Sequence, residues 1–205
     1  FVSYGAQRDG FLPLRDVNPA LVSGEGETQR DSAPGRPTLK VGQEILIQVV
    51  REEIGNKGAL LTGYISLPGR YLDLLHHKES SGISRKIEDE EDRKRLKELV
   101  EQIKTEEDIG FIVRTAGMNR TKQELARDYQ HLSRLWKEIR KRAAETAAPA
   151  LIYQESAFGV RSLRDYFTPD IEEILVDDPE TFRQVRSYCK AVAPRNLKII
   201  KLSKE

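Results

Sequence analysis

Short apolar runs separated by glycine-containing turns characterise the first third of the chain. Residues 1–4 and a run ending at Pro13 predict two strands, residues 44–50 (EILIQVV) predict a third, and residues 60–67 (LLTGYISL) predict a fourth. Residues 18–40 are rich in Gly, Pro, Ser and Thr, so we expect a long mobile loop there. Short strands joined by glycine turns and a long loop predict a small β-barrel.

The pattern changes after residue 67. The stretch RYLDLL predicts a strand, and the polar stretch at 76–86 predicts a loop. Residues 87–103 form a charged amphipathic pattern with acids in the first turn, which indicates a helix. A strand over 110–115 (GFIVRT) is followed by a long helix over 121–146. Thr121 and Glu124 have the spacing of a capping box, and the apolar stripe of this helix consists of Leu125, Tyr129, Leu132, Trp136, Ile139 and Ala143.

The last third alternates between strands and helices. ALIYQ, EEILVD and LKIIKL predict strands, SLRDYF predicts a short helix, and residues 179–193 predict another helix that Asp178 caps with Pro179 at its first position. Alternating elements of this kind indicate an α/β unit. We therefore predict a mixed α+β fold, with a β-barrel followed by α/β regions.

Charge and composition narrow the function classes. The 205 residues include 34 basic and 33 acidic ones, a net charge of +1, so any anion-binding surface must be local. Cys189 is the one cysteine, which excludes an internal disulfide and suits a reducing cytoplasm. No apolar run approaches the roughly 18 residues of a membrane span. The chain begins with Phe1 and has Met118 as its one methionine, so we expect it to be a segment of a longer protein.

Common catalytic motifs are missing from the sequence. It contains no GxxxxGK[ST], GxGxxG, HExxH or CxxC pattern, and its three histidines are scattered. No set of residues with the spacing of a catalytic site is visible, so binding is the chemistry that remains.

Arg114 and Thr115 lie where the strand GFIVRT ends. A guanidinium beside a hydroxyl at the end of a rigid element suits an anionic oxygen acceptor such as phosphate. The alternative is a structural ion pair between Arg114 and a nearby carboxylate. The residues alone leave both interpretations open.

Several stretches together resemble one family. FVSYGAQRDGFLPL is similar to the S-one type of RNA-binding OB barrel, and it is followed in order by REEIGNKGALLTGYISLPGRYL, GISRKI, GFIVRTAG, PALIYQES and LRDYF. This series closely resembles the ribonuclease E/G family of bacterial endoribonucleases. The resemblance implies that residues 1–67 are an S-one type OB-fold domain lacking its first strands, residues 68–155 a 5′-sensor region, and residues 156–205 part of an RNase H-like subdomain.

The resemblance also implies which residues contact RNA. It assigns the 5′-monophosphate to Gly69, the backbone near Asp73, Arg85, Arg114 and Thr115. It assigns the RNA-binding face of the barrel to Phe1, Phe11, Arg51 and Lys57. Asp73 replaces the apolar residue expected in the family, and a carboxylate there is expected to weaken phosphate binding. Without the resemblance, the two phenylalanines would fit core filling equally well.

The implied function is that of a single-strand-specific endoribonuclease of the bacterial cytoplasm, acting in RNA processing, including ribosomal RNA, and in mRNA decay. The catalytic, Mg²⁺-binding aspartates and the zinc-binding cysteines of the family belong to a DNase I-like region that the resemblance does not cover, so we expect no bound cofactor and no cleavage by this chain alone. The expected partner is single-stranded RNA with a 5′-monophosphate, with homo-oligomerisation of the longer protein. The alternatives are a single-strand RNA-binding module indifferent to the 5′ end, and a structural or oligomer-forming segment.

Overall fold

Helices and strands are mixed along the chain, as the sequence predicts. The structure is a computed structural model that describes residues 1–23, 39–76, 81–103, 109–155, 158–168 and 170–203. It divides into two units, the first comprising Phe1–Ser66 and Glu138–Tyr153 and the second Leu67–Lys137 and Gln154–Glu205.

Short antiparallel pairs make up the sheets of the first unit. Strand β1 (Val22–Ser23) pairs with β2 (Glu44–Ile45), and β3 (Gln48–Arg51) pairs with β4 (Leu60–Thr62). The described residues form open two-stranded sheets here and no closed barrel. Their side chains enclose a small core of Leu12, Val17, Ala59 and Leu61.

The predicted continuous strand at 44–50 is wrong, because its backbone changes partner part-way along. The Leu46 amide donates to the Leu21 carbonyl at 3.0 Å, whereas Gln48 pairs with Thr62. The predicted strand at 1–4 is reduced to one bridge between Val2 and Gly10. Residues 24–38 of the predicted loop lie outside the described residues.

A four-stranded sheet forms the centre of the second unit. Its strands are β5 (Ser66–Pro68), β6 (Leu72–His76), β7 (Gly82–Ile83) and β8 (Ile109–Val113), in the order β5-β6-β8-β7. The polar stretch predicted as a loop therefore contains a short strand, β7, which runs parallel to β8. Residues 77–80 of that stretch lie outside the described part of the chain.

Two helices of this region begin at side-chain caps. Helix α1 (Glu90–Glu101) begins after Asp89, whose carboxylate accepts from the Asp92 amide at 2.8 Å. Before α2 (Lys122–Glu145), the Thr121 hydroxyl accepts from the Glu124 amide at 3.3 Å while Glu124 accepts from the Thr121 amide at 2.9 Å, so the predicted capping box is confirmed. The predicted stripe of α2 is buried except for the half-buried Ala143.

The C-terminal part consists of α3 (Phe158–Tyr166), β9 (Ile174–Val176), α4 (Pro179–Val192) and β10 (Ile200–Leu202). Strands β9 and β10 are parallel, and the core between these elements contains Val160, Leu163, Val185, Cys189 and Ile200. The Asp178 carboxylate accepts from the Thr181 amide at 2.6 Å, which confirms the predicted cap of α4.

The strand predicted over ALIYQ is wrong. Residues 151–155 pair with no strand, and the Ile152 carbonyl instead accepts from the Arg142 guanidinium at 3.0 Å. None of the helices in the described ranges combines the length and apolarity that crossing a membrane requires.

Candidate functional site

Three segments of the second unit meet at the C-terminal end of β8. Val113 pairs with Ile83 of β7, and its carbonyl accepts from the Ser84 amide at 2.8 Å. One residue further, the Arg114 amide donates to the Tyr71 carbonyl at 2.8 Å. The strand end thus lies between the turn before β6 and the loop after β7.

The Arg114 guanidinium is surrounded by acceptors from this turn, from β6 and from α3. Its Nη1 donates to the Gly69 carbonyl, and its Nη2 donates to Asp165 Oδ1 at 3.1 Å. Its Nε lies 3.7 Å from Asp73 Oδ1. The side chain is 27% exposed. The predicted alternative of an ion pair is therefore present in the structure, and it involves the residues that also make the candidate phosphate site.

A buried carboxylate holds the turn that precedes β6. Asp128 of α2 is 1% exposed, and it accepts from the amides of Tyr71 at 2.7 Å, Leu72 at 3.0 Å and Arg70 at 3.4 Å. Burial raises the pKa of Asp128 although these hydrogen bonds favour the charged form. The anchored turn presents the Gly69 carbonyl to Arg114.

Gly69 has no space for a side chain. A Cβ atom at this position would lie 2.7 Å from Leu132 Cδ1, 2.7 Å from the Leu72 carbonyl oxygen and 2.8 Å from Asp128 Oδ2. Two of these three neighbours are a backbone atom and a hydrogen-bonded carboxylate, which cannot move away without breaking the turn. Glycine is therefore required for the close approach of the turn to α2.

Helix α3 supplies an ion-pair network next to Arg114. Arg164 binds Asp165 through two hydrogen bonds of 2.9 Å, from Nε and from Nη2, and its Nη1 donates to Glu155. The hydrogen bond from Arg164 lowers the pKa of Asp165, and the hydrogen bond from Arg114 lowers it further. Asp165 thus joins two guanidinium groups and stays ionised.

The other predicted phosphate-binding residues lie around the same strand end. Thr115 directly follows Arg114 and is exposed, and Arg85 is exposed in the loop after β7, next to Ser84. Burial raises the pKa of the Asp73 carboxyl, while the charges of Arg114 and Arg164 oppose this shift. Gly69, Asp73 and Arg114 are brought into contact, and the backbone places Arg85 and Thr115 beside them.

Two of the predicted RNA-binding residues of the first unit, Phe1 and Phe11, are in contact. Phe1 and Phe11 are 89% and 49% exposed, and their ring centroids are 5.7 Å apart. Phe11 and Arg51 are both backbone partners of Leu60, one on each side of it. Lys57 is exposed in the turn that Gly55 forms with a φ of +57°. The two phenylalanines therefore do not fill the core.

The metals that the family resemblance implies for a longer protein do not fit the side chains described. Within the described ranges, no group of three or more His, Cys, Asp or Glu residues could hold a metal ion. Cys189 is buried, and its Sγ donates to the Ala193 carbonyl at 3.2 Å. Burial raises the pKa of this thiol, which disfavours the thiolate that a zinc ligand requires.

Comparison with known proteins identifies the family of this chain. Residues 66–205 match the model of the Ribonuclease E/G family. The chain belongs to this family. It is 43% identical to ribonuclease E of Escherichia coli over 94% of the chain and 18% of that protein, and 41% identical to ribonuclease E of Haemophilus influenzae over 98% of the chain and 22% of that protein. It is also 33% identical to ribonuclease G of Escherichia coli, over 95% of the chain and 40% of that protein. The chain thus spans about a fifth of the length of these ribonuclease E relatives.

Sequence reasoning missed three residues that build the candidate site at the end of β8. Asp128 gives no local signal, because its hydrogen bonds reach 56 to 58 residues back along the chain. Arg164 and Asp165 lie within LRDYF, a stretch that the resemblance assigns to the RNase H-like subdomain and not to the phosphate site. Asp165 contacts Arg114, which lies 51 residues earlier in the chain. This contact follows from the packing of α3, so the sequence spacing of the two residues could not predict it.

Proposed function

We propose that this chain is the RNA-binding and 5′-monophosphate-sensing part of a single-strand-specific bacterial endoribonuclease that processes and degrades RNA in the cytoplasm. The observation that supports the proposal is the contact of Arg114 with Gly69 at the end of β8, beside Thr115 and the loop that contains Arg85, in a ribonuclease E/G family chain. In the same proposal residues 1–67 are an S-one type OB-fold domain, residues 68–155 the 5′-sensor region and residues 156–205 part of an RNase H-like subdomain.

The charge and the acceptor oxygens of a terminal phosphate match the donors of the candidate site. A phosphate monoester carries about −1.5 to −2 charge at neutral pH and three strong acceptor oxygens. Arg114 offers a fork of N–H donors, Thr115 adds an exposed hydroxyl beside it, and Arg85 adds a second exposed positive charge. A 5′-hydroxyl end offers none of this charge, so the site discriminates between the two ends.

The exposed aromatic pair supports binding of the RNA strand itself. Base stacking on aromatic side chains is tolerant of sequence and requires an accessible ring face. Phe1 and Phe11 meet that requirement, and Arg51 and Lys57 supply charge for phosphate groups along the backbone. This surface binds single-stranded RNA whatever its 5′ end, while the strand-end site adds the preference for monophosphate.

Cleavage is assigned to the longer protein. In this proposal Mg²⁺ and zinc act in a part of the ribonuclease outside the described residues, and the longer protein is a homo-oligomer. The chain binds RNA and does not hydrolyse it alone.

One titration series tests the sensor function. The same short unstructured RNA, labelled at its 3′ end, is prepared with a 5′-hydroxyl, a 5′-monophosphate or a 5′-triphosphate, and binding to the 205-residue chain is followed by fluorescence anisotropy. We expect the monophosphate RNA to bind at least about 10-fold more tightly than the hydroxyl RNA, since a charge-assisted contact contributes about 1.5–3 kcal/mol.

The alternatives give different patterns. Equal affinity for all three RNAs would favour a binding module that is indifferent to the 5′ end. Absence of binding in every case would favour a structural or oligomer-forming segment.

A further inference from the structure

The two carboxylates that face Arg114 are held very differently. Asp165 makes two hydrogen bonds of 2.9 Å with Arg164 and a third of 3.1 Å with Arg114 Nη2. Asp73 approaches Arg114 Nε at 3.7 Å, which is beyond the 2.7–3.2 Å range typical of an N–H···O hydrogen bond. One acid is therefore fixed in a network, whereas the other, among the described residues, is held near Arg114 by charge attraction.

The hydrogen bonds that Arg114 already makes indicate where on its guanidinium an anion can bind. A guanidinium carries N–H donors on Nε, Nη1 and Nη2. In the described part of the chain, Nη1 of Arg114 is engaged by Gly69 and Nη2 by Asp165, while Nε makes an ion pair without a hydrogen bond. Each Nη carries a second N–H, whereas the single N–H of Nε makes no hydrogen bond within the described residues, and Asp73 is the group that lies against it.

We propose that Asp73 is an internal competitor that a 5′-phosphate must displace from Arg114, whereas Asp165 is a positioning residue that holds Arg114 ready for the phosphate. The proposal rests on the proposed sensor function. According to this proposal, the two carboxylates that face Arg114 have opposite effects on phosphate binding. A phosphate oxygen would take the place of the Asp73 carboxylate at Nε, while Asp165 keeps its contact with Nη2.

The charges around Asp73 support this division. Arg114, Arg164 and Asp165 are the charged groups that act on the Asp73 carboxyl, and burial raises its pKa in spite of the two arginines. Hydrogen bonding lowers the pKa of Asp165. Asp73 is therefore the less stabilised of the two anions, and it gives up its partner more readily.

The elements that carry Asp73 and Asp165 also agree with their proposed roles. Asp73 pairs with Ile112 across β6 and β8, so alternation along β8 places Arg114 on the same face of the sheet as Asp73. Asp165 lies on α3, and Gly159 allows that helix to approach α4 closely, since a Cβ there would lie 2.6 Å from Thr181 Cγ2. The competitor thus lies on the sheet and the positioning residue on a packed helix.

Paired isosteric variants test the proposal. Asp73→Asn and Asp165→Asn each remove one negative charge, and Glu98→Gln removes one from the exposed face of α1 as a matched control. The readout is the ratio of affinities for 5′-monophosphate and 5′-hydroxyl RNA, measured well below the melting temperature of each variant. We expect Asp73→Asn to raise this ratio by about 3- to 10-fold. We expect Asp165→Asn to lower the ratio and Glu98→Gln to leave it unchanged.

The outcomes separate this inference from the sensor function. If the wild-type chain prefers monophosphate and Asp73→Asn leaves the ratio unchanged or lowers it, the competitor role is wrong while the sensor function stands. If Asp165→Asn weakens both RNAs equally, the positioning role is wrong. If the wild-type chain has no preference but the Asp73→Asn variant prefers the monophosphate RNA, the competitor role is supported. If neither the wild type nor Asp73→Asn has a preference, the result contradicts both the competitor role and the sensor function.

Discussion

At the scale of single residues, Asp128 connects the interior of the second unit with its candidate binding surface. Its carboxylate satisfies three consecutive backbone amides, and the turn that they form presents Gly69 to Arg114. A carboxylate that is 1% exposed is costly unless such donors compensate it. Its position therefore links the stability of the turn to the geometry of the site.

Replacing Asp128 by Ala should destabilise the fold and disturb the site. Each backbone amide that stays buried without an acceptor costs about 1–3 kcal/mol, so we expect a loss of at least about 2 kcal/mol in the free energy of unfolding. Asp128→Asn is the matched control, because its carbonyl oxygen can still accept from Tyr71 and Leu72. Urea unfolding followed by circular dichroism measures both. Equal stability of the Ala variant and the wild type would show that the turn does not depend on this carboxylate.

At the scale of elements, the start of α2 depends on a local signal. The capping box at Thr121 satisfies amides that the first turn leaves without intrahelical acceptors. This helix carries Asp128 and the buried stripe, so its first turn matters for the whole second unit.

Thr121→Ala removes the cap and should lower the free energy of unfolding by about 1 kcal/mol. Thr121→Ser keeps the hydroxyl and should stay close to the wild type. Thermal or urea unfolding of the two variants checks this. If Ala and Ser at this position give the same stability, the hydroxyl contributes nothing to the helix start.

Local signals explain which elements could be predicted from the sequence. The caps at Thr121 and Asp178, the stripe of α2 and the apolar run of β8 are all encoded within a few neighbouring residues. The failures depend on distant partners. ALIYQ has the composition of a strand but no strand to pair with, and the stretch around Gly82 looks polar yet pairs with β8. Arg114 was found as a candidate because the strand end was visible, whereas Asp165 required the packing of α3.

At the scale of the whole molecule, the balance of 34 basic and 33 acidic residues gives no general attraction for RNA. In the proposed function, affinity comes from local arrangements, which are the exposed aromatic pair of the first unit and the end of β8 in the second. In this proposal, general binding of the strand and recognition of its 5′ end are separate contributions. The two contributions can be removed independently by substitution.

A thermodynamic cycle on Arg114 tests this separation most directly. Affinities of the wild-type chain and of Arg114→Ala are measured for the same RNA with a 5′-monophosphate and with a 5′-hydroxyl, together with the melting temperature. Arg161→Ala, which removes an exposed guanidinium from α3, is the matched control for the lost charge. We predict that Arg114→Ala weakens binding of the monophosphate RNA by about 10- to 150-fold, equivalent to about 1.5–3 kcal/mol, and changes binding of the hydroxyl RNA by less than about 2-fold. An Arg114→Ala variant that melts earlier yet keeps the wild-type preference for monophosphate would contradict the account, because Arg114 would then be a structural ion-pair partner and not a phosphate ligand.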